Sequence, residues 1–244
     1  MSERLTRADA DGVCTLTLTR PEKLNALDTA AFEALDAMLA ALETDDGVGC
    51  VVLRGAGRGF CAGADLGDLD GPNAPPPRFK PGVIERLARL EKPVIAAVHG
   101  VCFTGGLELA LACDFILADS TAKFADTHGK WGLVASWGMS QRLPRRIGVA
   151  AAKRMMMTAR VIEAAEAKEL GLVDLLAPEG GLDALVQGFA AEITANSWFT
   201  NAAGKRLLLE TDGMSLAEGL AHEHDRHPGR APDWRERIDR FRRS

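Results

Sequence analysis

The sequence predicts an α/β fold, and three observations carry that expectation. "VCTLTLT" (13–19) alternates Cys14, Leu16 and Leu18 with threonines, the two-residue period of a half-buried strand. "TAAFEALDAMLAALE" follows Asp28, a good helix N-cap, and brings Phe32, Leu35, Leu39 and Leu42 round at helical spacing. "GCVVLRG" (49–55) then reads as a short buried strand, so after a short charged start the chain runs strand, helix, strand.

Next comes a glycine-rich loop, and then "DGPNAPPPRFKPG" (70–82), whose five prolines forbid a regular helix or a central strand and predict a surface loop. "VIERLARLEK" (83–92) restarts a helix, "PVIAAVHG" (93–100) is a buried strand, and "GGLELALACD" (105–114) is a buried helix. Short strands follow over 115–120 and 123–126. Beyond about residue 136 the pattern turns helical, over 138–146, 149–158, 163–170, 181–195, 201–210, 215–226 and 232–242, interrupted by a strand candidate at 171–177. Several of these late helices are apolar on more than one face and need a partner, either the core or another subunit.

With 244 residues and 47% hydrophobic content, the chain can bury the core of one large domain, with or without an appendage. A net charge of −5 argues against a nucleic-acid surface. The basic C-terminal residues Arg235, Arg237, Arg240, Arg242 and Arg243 alternate with Glu236 and Asp239, as on a solvated helix face. Five cysteines, odd in number, set in apolar runs and without a C-x-x-C pair, read as buried thiols of a cytoplasmic protein. The N-terminus lacks an apolar signal core, and no stretch approaches the roughly 18 apolar residues of a membrane span.

Four segments could carry chemistry. "RGAGRGFCAGADLGDL" (54–69) nominally matches a dinucleotide fingerprint, but its glycines feed a short helix and the proline loop instead of a long helix, which disfavours a nicotinamide or flavin site. In "HGVCFTGGLELALACD" (99–114) Gly105 and Gly106 open a helix whose unpaired N–H groups can face an oxyanion. Glu108 lies near that helix end among Leu107, Leu109 and Ala110, and is either a hydrogen-bonded structural carboxylate or a catalytic one. "VASWG" (134–138) and "GMSQR" (138–142) each lack a glycine of the nucleophile elbow, which disfavours a catalytic serine. "HEHDRH" (222–227) puts its first two histidines two residues apart, on different sides of a helix, and predicts an exposed polar face with no metal site.

Read together, the glycine-rich loops resemble those of the crotonase (enoyl-CoA hydratase/isomerase) superfamily. "TLTRPEKLNALD" (17–28), "GRGFCAGADL" (57–66), "KPVIAAVHG" (92–100), "GGLELALACD" (105–114), "KFADTHGKWGLV" (123–134), "QRLPRRIG" (141–148) and "AKELGLVD" (167–174) occur in the family's order and spacing. The resemblance implies a spiral of ββα units over residues 1–190, holding an acyl-CoA site, and a helical region over 191–244 that packs subunits into homotrimers or homohexamers. It implies an acyl-CoA thioester as substrate, coenzyme A being part of that substrate and no separate cofactor being required.

By the same resemblance, the thioester oxygen lies between the N–H groups of Ala64 and Gly105, while Lys23, Leu24, Ala26, Ala62, Ala64, Asp65, Leu66, Gly67 and Gly105 line the bound coenzyme A. The family's hydratases use two glutamates to add water to a 2-enoyl-CoA, and one of them matches Glu108. The second falls at His128. Thr104 stands where a glycine is usual, which narrows the pocket, and Thr127 stands where a proline is usual. Two readings of His128 follow. Imidazole, with an ordinary pKa near 6.5, can serve as the second proton carrier. Alternatively Glu108 works alone, in an isomerase or a C–C lyase, and a non-catalytic acyl-CoA-binding relative is the remaining alternative. Asp126 either orients His128 or faces the other way along its strand.

Overall fold

The computed structural model describes residues 4–68 and 75–243. Positions 70–74 of the proline-rich loop lie outside the described residues. The main sheet has six strands in the order β1 (Leu5–Ala10), β2 (Val13–Leu18), β3 (Cys50–Gly55), β4 (Val94–Val98), β6 (Phe115–Asp119) and β9 (Leu175–Ala177). Only β1 and β2 are antiparallel; the other neighbours run parallel. A smaller sheet is made of β5 (Val101–Phe103), β7 (Lys123–Ala125) and β8 (Ile162–Glu163).

The two sheets define the spiral. Each turn gives one strand to the large sheet and one to the small: β3 with a single bridge at Cys61, then β4 with β5, then β6 with β7. Cys61 pairs with Cys102, and Cys102 pairs with Phe124, all in parallel. Moving three residues down each of these strands reaches Ala64, Gly105 and Thr127. The register of the small sheet therefore brings three loops distant in sequence to one place.

Asp28 caps α1 (Thr29–Glu43) as expected, its carboxylate accepting from the Ala31 N–H at 2.9 Å. Phe32, Leu35, Leu39 and Leu42 are buried beneath it, each contributing about 1.5–3 kcal/mol through the area removed from water. We expect Asp28→Ala to cost about 1 kcal/mol, read as a lower denaturant midpoint with an unchanged slope.

The remaining helices are α2 (Phe79–Arg89), α3 (Gly105–Leu111), α4 (His128–Trp131), α5 (Met139–Ile147), α6 (Val149–Thr158), α7 (Ala164–Glu169), α8 (Leu182–Ala195), α9 (Trp198–Glu210), α10 (Leu216–Arg226) and α11 (Trp234–Phe241). α8 runs unbroken past residue 190 and lays Leu182, Val186 and Ala190 on the large-sheet face formed by Cys50, Val52, Ile95, Ala97 and Leu117. No helix among the described residues is long and apolar enough to cross a membrane.

Several elements differ from the sequence expectation. The charged start is a strand, β1, because pairing with β2 satisfies its backbone while only Leu5 is fully buried. α2 begins at Phe79, inside the proline-rich segment, since Pro81 sits in the first turn, where a missing N–H breaks no bond. The 171–177 segment is strand only over its last three residues, and α9 starts three residues early because Ser197 caps it. β5, β8 and α4 are too short for periodicity to reveal.

Candidate active site

Two N–H groups set the first part of the site. Asp65 donates to the Leu27 carbonyl at 3.0 Å and Leu27 to the Gly63 carbonyl at 2.8 Å, which locks the Ala62–Gly67 loop against the segment before α1. Ala62 donates to Leu24 at 2.9 Å, so Lys23, Leu24 and Ala26 lie alongside Ala62 to Gly67 on one rim. The Asp65 carboxylate is turned onto Arg20, at 2.5 Å, and this pairing with the guanidinium, helped by the Gly67 N–H, holds it below the ordinary carboxylate range. The rim presents backbone, the exposed Lys23 side chain and the apolar Leu66, 51% exposed, toward solvent.

Neither Ala64 nor Gly105 gives its N–H to a backbone carbonyl among the described residues. Gly105 is the first residue of α3, where helical geometry leaves the N–H without an internal partner. The two loops touch: the Ala64 nitrogen lies 3.2 Å from where a β-carbon on Gly105 would sit. Gly106 is needed for that approach, because its own β-carbon would lie 2.3 Å from the Cys61 carbonyl oxygen. Gly106→Ala is expected to lose about 1–3 kcal/mol of stability through overpacking, measurable by thermal or chemical denaturation.

Glu108 is 1% exposed. Its Oε1 accepts from the Trp137 N–H at 2.8 Å and the Met139 N–H at 3.1 Å. Between these two donors stands Gly138 at φ +117°, a conformation that lets both N–H groups converge on one oxygen. Burial pushes the Glu108 pKa up, while the Met139 and Trp137 donors and the nearby His128 oppose that rise. In the sequence this cradle is marked only by Gly138, because the atoms that meet Glu108 are main-chain nitrogens that any side chain could carry.

His128 opens α4 with its Nε2 at 3.8 Å from Glu108 Oε2. Its Nδ1 is 2.6 Å from Asp126 Oδ1, and the same oxygen accepts the His128 backbone N–H at 3.1 Å. Asp126, 2% exposed, thus turns toward the imidazole and fixes which ring nitrogen faces the site. Burial alone lowers the His128 pKa; the hydrogen bond and charge of Asp126, with the charge of Glu108, outweigh it and the net shift is upward.

A cavity of about 220 Å³ is lined by Ala64, Gly105, Glu108, His128, Trp137 and Lys80, among others. Thr104 does not line it, contrary to the expectation that it narrows the pocket; its hydroxyl is turned onto Thr127 at 2.5 Å. Lys80 is held by Asp68 at 2.8 Å. Beneath the loops, burial pushes the Cys61 thiol up to about 12, which rules it out as a neutral-pH nucleophile. Among the described residues no group of three or more His, Cys, Asp or Glu is placed to hold a metal ion. The 222–227 cluster sits on and just beyond exposed α10, where His222 pairs with Glu210 at 2.7 Å.

The geometry is a parallel spiral with two backbone N–H groups, unpaired among the described residues, and a buried carboxylate facing an imidazole at its loop ends. The family model for enoyl-CoA hydratase/isomerase matches residues 8–228, and the chain belongs to that family, an enzyme of the crotonase superfamily. It is 37% identical over 219 residues to the short-chain-enoyl-CoA hydratase of Clostridium acetobutylicum, covering 87% of this chain and 84% of that protein. It is 35% identical over 240 residues to the 1,2-epoxyphenylacetyl-CoA isomerase of Escherichia coli, covering 94% and 92% respectively. The solved enoyl-CoA hydratase of Bacillus anthracis superposes with a TM-score of 0.92 at 33% identity, covering 98% of this chain and 96% of that one.

Proposed function

We propose that this enzyme hydrates a 2-enoyl-CoA to the 3-hydroxyacyl-CoA, with Ala64 and Gly105 as oxyanion donors and Glu108 and His128 as the two proton carriers. The observation that carries this reading is the pair Glu108 Oε2 and His128 Nε2, 3.8 Å apart in the same cavity as both donor residues. Adding water needs one proton taken from the water and one delivered to the α carbon, and the pair supplies a carrier for each transfer.

In the proposed sequence the thioester oxygen sits between the Ala64 and Gly105 N–H groups. Glu108 takes a proton from water as the water oxygen bonds to the β carbon, and the C=C electron pair moves to place negative charge on the thioester oxygen. Each preorganised donor at such a charge is typically worth about 2.7–4 kcal/mol. The enolate then collapses, drawing the proton from His128 Nε2 to the α carbon. A following water relays the proton from Glu108 to Nε2, which restores both groups. Asp126 keeps Nδ1 protonated, so that Nε2 is the nitrogen that exchanges a proton.

The rim formed by Lys23, Leu24, Ala26, Ala62, Ala64, Asp65, Leu66, Gly67 and Gly105 would hold coenzyme A, which enters as part of the substrate, with no additional cofactor. Residues 191–244 would pack subunits into a trimer or a pair of trimers. Exposed apolar side chains there, such as Leu208 at 76% and Leu216 at 80%, support that role, and light scattering of the purified protein tests it. Five buried, unpaired cysteines fit action in the reducing cytoplasm.

The experiment is an assay of the purified enzyme against 2-enoyl- and 3-enoyl-CoA esters of graded length. Hydration of a 2-enoyl ester is the expected result. Double-bond migration of 3-enoyl esters with no hydration would transfer the reading to an isomerase working through Glu108 alone.

A further inference from the structure

The structure joins Thr104 and Thr127, which lie far apart in the sequence, through their side-chain hydroxyls. Each is the N-cap residue of a helix that carries site groups: Thr104 precedes α3, with Gly105 and Glu108, and Thr127 precedes α4, with His128. Threonine at such a position ordinarily turns its hydroxyl onto its own helix. Neither does so here. The two Oγ1 atoms lie 2.5 Å apart, and the Thr127 N–H also donates to Thr104 Oγ1, at 3.2 Å.

Thr104 moreover adopts φ 52° and ψ −113°. That backbone region suits glycine and is an outlier for a β-branched residue. Such a conformation persists where its surroundings over-determine it. Those surroundings are the hydroxyl pair and the Thr104 N–H bond to the Ala125 carbonyl at 2.8 Å. The threonine pair fixes one loop against the other.

We propose that the Thr104 and Thr127 hydroxyls form a positioning clasp that sets the separation between the Gly105 oxyanion donor and the His128 imidazole across the pocket. The clasp rests on the reading of this pocket as the thioester site. It makes Thr104 and Thr127 positioning residues that act through Gly105 and His128 without touching substrate.

The test uses Thr127→Val and Thr104→Gly, which remove one hydroxyl each, Thr127→Ser and Thr104→Ser, which keep it, and the double variant T104G/T127V. Two readouts are taken on the folded enzyme: kcat and KM on a 2-enoyl-CoA, and the near-ultraviolet band of the enolate formed when a 3-oxoacyl-CoA binds. The band reports the oxyanion donors without turnover. Loss of either hydroxyl should lower kcat about ten- to a hundredfold with little change in KM, as expected for sub-ångström to ångström misplacement, and should weaken the enolate band. The serine variants should restore both. The double variant should be no slower than the slower single, because both changes delete one shared contact.

An additive double variant, or a wild-type kcat and enolate band in both singles, would overturn the clasp, as would the absence of an enolate band in the wild type. An enolate band that falls in the variants, in an enzyme that hydrates no enoyl-CoA, keeps the clasp and removes the hydratase reading. Should Thr127→Val not fold, Thr104→Gly carries the test, since glycine accepts the backbone angles found there.

Discussion

Glu108→Gln is expected to lower the hydration rate by about 10²- to 10⁴-fold while leaving the fold and the binding of a saturated acyl-CoA unchanged. The amide is nearly isosteric, and its carbonyl oxygen can still accept the Trp137 and Met139 N–H groups that now meet Oε1 at 2.8 and 3.1 Å. What it cannot do is take a proton from water on the side facing His128. Glu108→Ala is the less informative change, because it strands two buried donors at about 1–3 kcal/mol each and mixes lost stability with lost chemistry. The measurement is the loss of absorbance of the conjugated thioester at saturating substrate, with a melting curve on the same sample. Hydration that survives in Glu108→Gln at more than a tenth of the wild-type rate would sink the mechanism.

The parts of this site that could be read in the sequence are those where chemistry depends on a residue type. Glycines at 105 and 106, a glutamate buried among Leu107, Leu109 and Ala110, and a lone histidine in "KFADTHGKWG" all stand out because each type is unusual in its setting. The strands were legible wherever both faces are covered, as in β3 and β4, since burial writes a continuous apolar run. β1 escaped because one strand edge and much of its surface remain in solvent, so its sequence carries charge in place of a pattern.

Backbone geometry escaped for a different reason. The cradle at 137–139 uses main-chain nitrogens, and its only mark in the sequence is Gly138, one glycine among 25. The orientation of Asp126 cannot be read from spacing, because "KFADTHG" does not mark where the strand ends and the turn into His128 begins. β7 ends at Ala125 and α4 begins at His128, and the short turn between them bends the imidazole back onto the Asp126 carboxylate. The link between Thr104 and Thr127 required the register of the small sheet, which no single-sequence pattern reports.

His128→Ala should cost about 10²- to 10⁴-fold in hydration at neutral pH and should also change the form of the pH profile. The proposed mechanism needs Glu108 ionised and His128 protonated, so kcat/KM should be bell-shaped. Burial raises Glu108, and the acid limb should therefore lie above the ordinary carboxylate range. For His128, burial acts downward, but Asp126 and Glu108 together prevail, and the alkaline limb should lie above the ordinary imidazole value near 6.5. The same signs apply to stability. The raised imidazole contributes fully below its unfolded pKa and loses that contribution as pH rises through the folded value, whereas the raised carboxyl becomes a cost once pH passes its unfolded pKa. The two groups face each other at 3.8 Å, so the limbs belong to the pair and not to either residue alone. Asp126→Asn isolates the imidazole's share: it deletes the charge and weakens the hydrogen bond that lift His128, leaving burial opposed only by the charge of Glu108. The alkaline limb should move to lower pH, and each unit it moves should cost about tenfold in the rate measured above it. In His128→Ala that limb should vanish while the acid limb remains. An unchanged alkaline limb in Asp126→Asn, or its persistence in His128→Ala, would remove His128 from the reaction and leave Glu108 as the sole proton carrier.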